Sequence, residues 1–390
     1  MRTVSTRILL ARLPLQARAW LWGLGLWLLC AVHAMAQGQH TVTDLAGRSV
    51  TLPVRIDRIL LGEGRLLPVL GMLDSRNPTQ RLVAMMGDYE TLDPAGYAQW
   101  QQKFPQLGKV ARVGRASNNS FSDELAIAQR PQLAVFSLSG GHGPSKGDRE
   151  IVARLEAAGI AVVFVDFRQD PLRNTPLSME LLGQVLNRRE RAQAFAAQWR
   201  SELDRVRSVL ERMPASARKP SVFLENRVGL ADDCCATMVG LVGLLLDAAG
   251  GSNMARGLIP GEHGTLNPEL LLGQQPQIYI GTGIGQMATQ AQTPLRIVLG
   301  ADATPEAARS SLARALQRPF IRQLQAVQKG QAYAVWHHFY NSPFNVAAVQ
   351  AMAKWLYPQQ FAQLDPQATL QSLYQNFMPI PLRGVYWTSL

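Results

Sequence analysis

What this sequence lacks narrows its class before any motif is considered. Three cysteines are too few for a disulfide-built scaffold, so any core must hold by packing. Charged residues make up only 17% of the chain. The net charge of +11 is spread without a dense Lys/Arg stripe, which argues against a phosphate-tracking nucleic-acid binder. No complete dinucleotide fingerprint occurs, so one of the commonest α/β enzyme signatures is missing. What is present is apolar: 47% of 390 residues are hydrophobic, enough to bury more than one core.

Arg2, Arg7, Arg12 and Arg18 precede an apolar run from Trp20 to Val32, and Ala34-Met35-Ala36 follows. This is the pattern of a secretory leader cleaved after Ala36, over residues 1–36. The run of thirteen residues is short of the roughly 20 needed to span a membrane. Cys30 follows Trp27-Leu28-Leu29, not the small residues of a lipid-attachment site, so a soluble exported protein is expected. Loss of the leader takes four arginines and no acid, leaving a charge of +7. Cys234 and Cys235 then remain, either closed as a neighbouring-residue disulfide or reduced at a helix start.

Along the rest of the chain, Thr41 to Leu52 alternates around Ala46-Gly47 and predicts a β-hairpin. Short apolar strands are expected at 58–61, 81–85, 133–137 and 160–165, alternating with helices at 66–73, 123–129 and 151–158. The same grammar restarts after residue 218, with strands at 221–224, 278–280 and 295–299 and a helix over 239–249. Between these halves Leu177, Leu181, Val185, Leu186, Ala192, Phe195 and Trp199 recur at helical spacing. The expected fold is therefore α/β: two parallel-sheet, Rossmann-like lobes over 37–175 and 214–390, with a ligand cleft between them. A single long helix over 176–213, broken near Asn187, joins the lobes, and the C-terminal tail with Tyr386 and Trp387 packs on the second.

An internal echo is more specific. Glu124-Leu125 stands six residues before Pro131, and Glu269-Leu270 six before Pro276; each Pro is followed by Gln and an apolar strand. Each glutamate falls in the first turn of its helix, where the helix dipole favours an anion, and neither is needed by a core.

With Thr43-Asp44-Leu45-Ala46-Gly47-Arg48, Leu52-Pro53 and Arg58-Ile59 at the start, these repeats carry a resemblance. So do Lys329-Gly330-Gln331-Ala332-Tyr333-Ala334-Val335 and Ala353-Lys354-Trp355-Leu356-Tyr357-Pro358 near the end. The chain resembles the class III periplasmic substrate-binding proteins of ABC importers for ferric siderophores, haem and vitamin B12. The resemblance implies a periplasmic monomer that catalyses nothing, and an inner-membrane ABC permease that reads one glutamate per lobe, here Glu124 and Glu269.

Ligands of open α/β sheets lie beyond the C-terminal strand ends, which selects loops. Arg65, Arg168 and Arg227 each closely follow a predicted strand, and Trp336, His337 and Tyr340 follow another. Arginines pair with carboxylates while aromatic rings supply apolar area, a mixture suited to a ferric siderophore whose iron is already wrapped in oxygen. No cofactor and no protein metal ligand is required on this reading. Five histidines beyond the leader, widely scattered in sequence, disfavour free zinc or manganese as cargo, and His337 with His338 in a strand would face opposite ways. Gly140-Gly141-His142-Gly143 and Gly281-Thr282-Gly283 read as flexible cleft-edge loops. The alternatives are a haem or cobalamin binder of the same family, or an exported α/β enzyme.

Overall fold

The computed structural model describes residues 39–214, 219–230 and 234–390; the leader over 1–36, Cys30 included, lies outside them. β1 (Gln39–Thr43) and β2 (Ser49–Pro53) form the expected antiparallel hairpin. Its turn is held by buried Asp44, whose Oδ1 accepts from the Ala46 and Arg48 amides at 3.0 and 2.9 Å, with Gly47 at φ +78°. Val42, Val50 and Leu52 face inward, and the turn docks on the first lobe through Leu45 N to Phe164 O at 3.1 Å.

The first lobe is a five-stranded, wholly parallel sheet in the order β5-β4-β3-β6-β7. These are β3 (Ile59–Leu61), β4 (Leu82–Met85), β5 (Ala111–Arg112), β6 (Leu133–Ser137) and β7 (Ala161–Val165). β3 and β6 are buried throughout, as strands covered on both faces must be.

The second lobe contains β8 (Ser221–Glu225), β9 (Ala236–Met238), β10 (Ser252–Asn253), β11 (His263–Thr265), β12 (Ile278–Gly283), β13 (Ala332–Trp336) and β14 (Trp387–Ser389). Their order is β11-β9-β8-β12-β13-β14, with β10 beside β8. Only β10, β8, β12 and β13 run parallel; β9, β11 and β14 pair antiparallel, so this sheet is mixed where a parallel one was expected. The C-terminal tail contributes its last strand by pairing Val335 with Trp387. Residues 295–299 do not form the expected strand. Ile297, Val298 and Leu299 are buried, yet they make only an isolated bridge to Gly285, because both edges of β12 are already taken by β8 and β13.

The connector also differs from the single helix expected over 176–213. Helices Pro171–Val185 and Arg189–Arg212 fold back on each other around Asn187, whose φ of +56° suits an asparagine better than most residues. A Cβ at Gly183 would lie 2.3 Å from that of Ala192, so glycine permits the close approach, and Glu180 pairs with Arg200 at 2.8 Å across the hairpin. The 24-residue return helix is the spine. Its fully buried Trp199 donates to Asn345 Oδ1 at 3.0 Å, and Asn345 Nδ2 donates to Thr175 Oγ1 at 2.9 Å, tying both connecting helices to the second lobe. Cys234 and Cys235 are joined as a disulfide just before β9.

Candidate functional site between the lobes

The echo seen in sequence has a structural cause. Helices Asp123–Ala128 and Pro268–Gln274 are capped by Ser122 and Asn267 side chains, and each is followed by a left-handed residue before its proline, Arg130 and Gln275, both at φ +47°. Gln132 Oε1 then accepts from the Asp57 and Arg58 amides at 2.7 and 3.2 Å, and Gln277 Oε1 from the Ser221 amide at 2.9 Å. In both lobes, therefore, the glutamine amide sets the register of the central strand pair, β3 with β6 and β8 with β12. Glu124 and Glu269 both occupy the second helical position, exposed and without a side-chain partner among the described residues.

The C-terminal strand ends of the two sheets enclose a cavity of about 490 Å³. Arg168, Arg227, His337 and Tyr340 border it. The loop after β7 presents Arg168 because Asp166, fully buried, accepts from the backbone amides of Arg168, Gln169 and Asp170 at 2.9, 2.8 and 3.0 Å. Arg227, at φ +48°, is fixed through its amide to Thr282 Oγ1 at 2.7 Å, and its exposed guanidinium has no protein partner among the described residues.

Arg65 does not border this cavity. It is 6% exposed, and its donors are claimed by Asp88 (3.1 Å), Glu63 (3.2 Å), Tyr340 OH (3.0 Å) and His338 Nδ1 (3.2 Å). Glu63, wholly buried, also accepts from Arg168 at 2.9 Å and from Asn341 Nδ2 at 3.0 Å. Burial pushes the Glu63 carboxyl up, but Arg168 and Arg65 outweigh it and hold the group below its ordinary range. Asp88, with burial dominant, is pushed up to about 6. This cluster belongs to the first lobe and grips the 337–341 turn of the second. Trp336 likewise lies behind the cleft, on a smaller inner cavity of about 50 Å³ shared with Tyr89, Trp100, Tyr374 and Tyr386.

Sequence reasoning missed a convergence. Four of the chain's six histidines, His142, His263, His337 and His338, border the one cleft cavity. They come from three segments far apart in the chain, the 140–143 loop, the start of β11 and the turn after β13, and no sequence spacing signals that. His337 and His338 lie in a tight helical turn rather than a strand, and both are buried. The glycine loop bearing His142 is pinned, not loose: Gly140 O accepts from Arg168 at 2.7 Å, and a Cβ on Gly143 would meet Gly62 O at 1.7 Å. Arg296, hidden in a segment expected to be a strand, also reaches the cavity.

His338 Nε2 donates to Leu92 O at 3.0 Å, which leaves Nδ1 to accept from Arg65. Burial and then Arg65 push its pKa down to about 3; His337 moves the same way through burial and His338. Both stay neutral in the fold. A group held below its unfolded value contributes stability in full above about pH 6.5 and loses it as the pH falls toward the folded value. Asp88 and Asp93, both raised to about 6, act oppositely between there and about 3.8. His338→Gln is therefore expected to flatten the decline in unfolding free energy from pH 6.5 to about 4.5. Urea midpoints across that range check it, and parallel curves for the two proteins would show that His338 is not the titrating group.

Seven buried side-chain nitrogens and oxygens lack a hydrogen-bond partner among the described residues, and four of them border this cavity: Ser139 Oγ, Arg168 Nε, Asn226 Oδ1 and Arg296 Nε. Buried polar atoms are rarely left unpaired, and their concentration on residues of this cavity wall sets the region apart. Among the described residues no group of three or more His, Cys, Asp or Glu is placed to hold a metal ion, and no helix is long and apolar enough to cross a membrane.

No protein-family profile and no curated protein matches the sequence. Solved structures do. The TroA-like periplasmic binding protein FepB of Veillonella parvula superposes with a TM-score of 0.78 at 24% identity, over 90% of this chain and 99% of that one. The Haemophilus influenzae protein MolA, bound to molybdate, gives 0.64 at 17% over 88% and 99%. The periplasmic heme-binding protein RhuT of Roseiflexus sp. RS-1 gives 0.54 at 18% over 78% and 99%. At these identities the likeness shows the fold: two α/β lobes joined by long helices, the architecture of class III periplasmic binding proteins.

Proposed function

We propose that this chain is the solute-binding component of an ABC importer. Exported to the periplasm and acting as a monomer without catalysis, it captures an anionic metal chelate of the ferric-siderophore kind in the interlobe cleft. It then docks on an inner-membrane permease through Glu124 and Glu269. The observation that carries this reading is the cluster of unsatisfied donors on Arg168 and Arg296, with the unpaired Arg227, around a cavity formed by both lobes. Arginines so placed select negative charge, and the rings of Tyr340 and His337 on the cavity wall offer apolar area to the organic part of a chelator. The architecture is compatible with the reading, since the molybdate-bound MolA and the heme-binding RhuT carry different cargo classes on the same frame. Arg65 and Trp336 support the site from behind, and His337 and Tyr340 contact the cargo.

Titration of intrinsic fluorescence with ferric citrate tests the site. A charge-assisted hydrogen bond is worth about 1.5–3 kcal/mol, so Arg227→Ala with Arg296→Ala is expected to weaken binding roughly a hundredfold or more. Unchanged affinity in the double variant would remove the arginines from the site. A Soret shift on haem addition, with no response to ferric chelates, would replace the cargo class.

A further inference from the structure

We infer that Thr282 is the positioning residue of the second lobe's cleft wall: one buried hydroxyl fixes both the backbone that carries Arg227 and the ring of His337. The assignment rests on the capture proposed above and concerns how the groups that meet cargo are held, not a further contact with cargo. Gly281-Thr282-Gly283, expected as a flexible cleft-edge loop, instead completes β12 and is buried throughout. Thr282 pairs with Val335 and Gly283 with Trp336, so the 337–341 turn leaves the sheet beside this stretch. The chain after β8 folds over the same stretch. Arg227 N donates to Thr282 Oγ1 at 2.7 Å, and Val228 N donates to Thr282 O at 3.0 Å.

His337 Nδ1 lies 3.2 Å from the same Oγ1. Thr282 is wholly buried, and among the described residues Nδ1 is the acceptor within reach of its hydroxyl hydrogen. The hydroxyl therefore donates to Nδ1 while it accepts from Arg227, the arrangement that leaves none of the three groups unpaired. The bond made by one ring nitrogen sets the tautomer, so Nε2 carries the hydrogen. Burial and the neighbouring His338 keep the ring uncharged. One side chain thus makes His337 a neutral donor on the cavity that Arg227 also borders.

The glycines around Thr282 complete the seat. A Cβ on Gly281 would lie 2.9 Å from Val228 Cγ2 and 3.0 Å from Ile297 Cδ1. One on Gly283 would lie 2.9 Å from Ile297 O, and one on Gly285 2.8 Å from it. Without side chains there, the 227–228 and 296–297 segments both lie against the end of β12, which brings Arg227 and Arg296 to one cavity. The Gly-Thr-Gly-x-Gly text over 281–285 is therefore a platform for three cleft-wall side chains and needs no phosphate to explain it.

Nitrogen-15 NMR of the imidazole rings and fluorescence titration with ferric citrate test this on the full protein. In the wild type, His337 is expected as one neutral tautomer with its hydrogen on Nε2. Thr282→Val keeps the side-chain shape and deletes the hydroxyl. It should release the His337 tautomer and weaken ferric citrate at least about tenfold, the effect of leaving a buried amide and a ring nitrogen unpaired. Thr282→Ser returns the hydroxyl, and should restore the tautomer and an affinity within about threefold of the wild type. A role in packing alone predicts the reverse order, because valine is closer to threonine in shape than serine is. A hydrogen on Nδ1 in the wild type, an unchanged affinity in Thr282→Val, or a Thr282→Ser protein as weak as Thr282→Val each overturns the assignment. Should Thr282→Val fail to fold, the wild-type tautomer and the contrast between Thr282→Ser and Thr282→Ala decide in its place. If ferric citrate does not bind the wild-type protein, the anionic-chelate reading falls, and the His337 tautomer in wild type and variants still judges Thr282.

Discussion

Glu124→Arg and Glu269→Arg, made singly, are expected to abolish import while leaving the affinity for cargo unchanged. Both glutamates are exposed, neither has a side-chain partner among the described residues, and neither borders the cleft cavity. Their folded roles are therefore slight. An exposed ion pair contributes only about 0–1 kcal/mol, so simple removal would test little. On the proposed docking, reversal sets like charges against the cationic surface that would receive these glutamates, at a cost of several kcal/mol, enough to prevent productive docking. Cargo uptake by cells carrying each variant, beside fluorescence titration of the purified protein, separates docking from capture. Normal uptake in either variant would strip that glutamate of its docking role.

Glu63→Ala is expected to lower the unfolding free energy by about 3–5 kcal/mol, the cost of removing one partner from a buried ion pair. Glu63 is wholly buried and accepts from Arg168, Arg65 and Asn341. Its loss leaves two guanidiniums, each over 90% buried: Arg65 keeps only Asp88, which burial already drives toward the protonated form, and Arg168 keeps no carboxylate among the described residues. The effect should also reach the cleft, because Arg168 and the 337–341 turn lose a common anchor. Denaturant unfolding at neutral pH measures the change. A loss below about 1 kcal/mol, the size expected of an exposed pair, would mean that water reaches the cluster.

The repeated Glu-Leu…Pro-Gln text was legible because local hydrogen bonds write it. A capped short helix, a left-handed residue before proline and a glutamine amide that sets strand register all leave marks in one stretch of chain. The strands β6, β7, β8 and β12 were legible for the same reason, as apolar runs between turn signals. Features made by distant segments were not. Arg65 looks identical in sequence to Arg227, yet Asp88, twenty-three residues on, claims the first, and nothing among the described residues claims the guanidinium of the second. Four histidines from three distant segments converge with no shared spacing. The run at 295–299 carries a strand's composition but arrives beside β12, both of whose sides are already paired. The fold-back at Asn187 hinges on one backbone angle.

The grip of Glu63 and Arg65 on residues 337–341 bears on how a solute-binding protein, as proposed for this chain, would signal that it is full. With Leu92 accepting from His338, Ala301 accepting from Gln99 at 3.2 Å, and the spine fastened through Trp199, the halves are riveted at several depths. The mouth of the cleft is thus sized before any cargo arrives, and on the proposed function loading would change the distance between Glu124 and Glu269 little. A signal to a permease would then travel in small local adjustments of loop and charge, or in the cargo's own presence at the doorway, rather than in a jaw snapping shut.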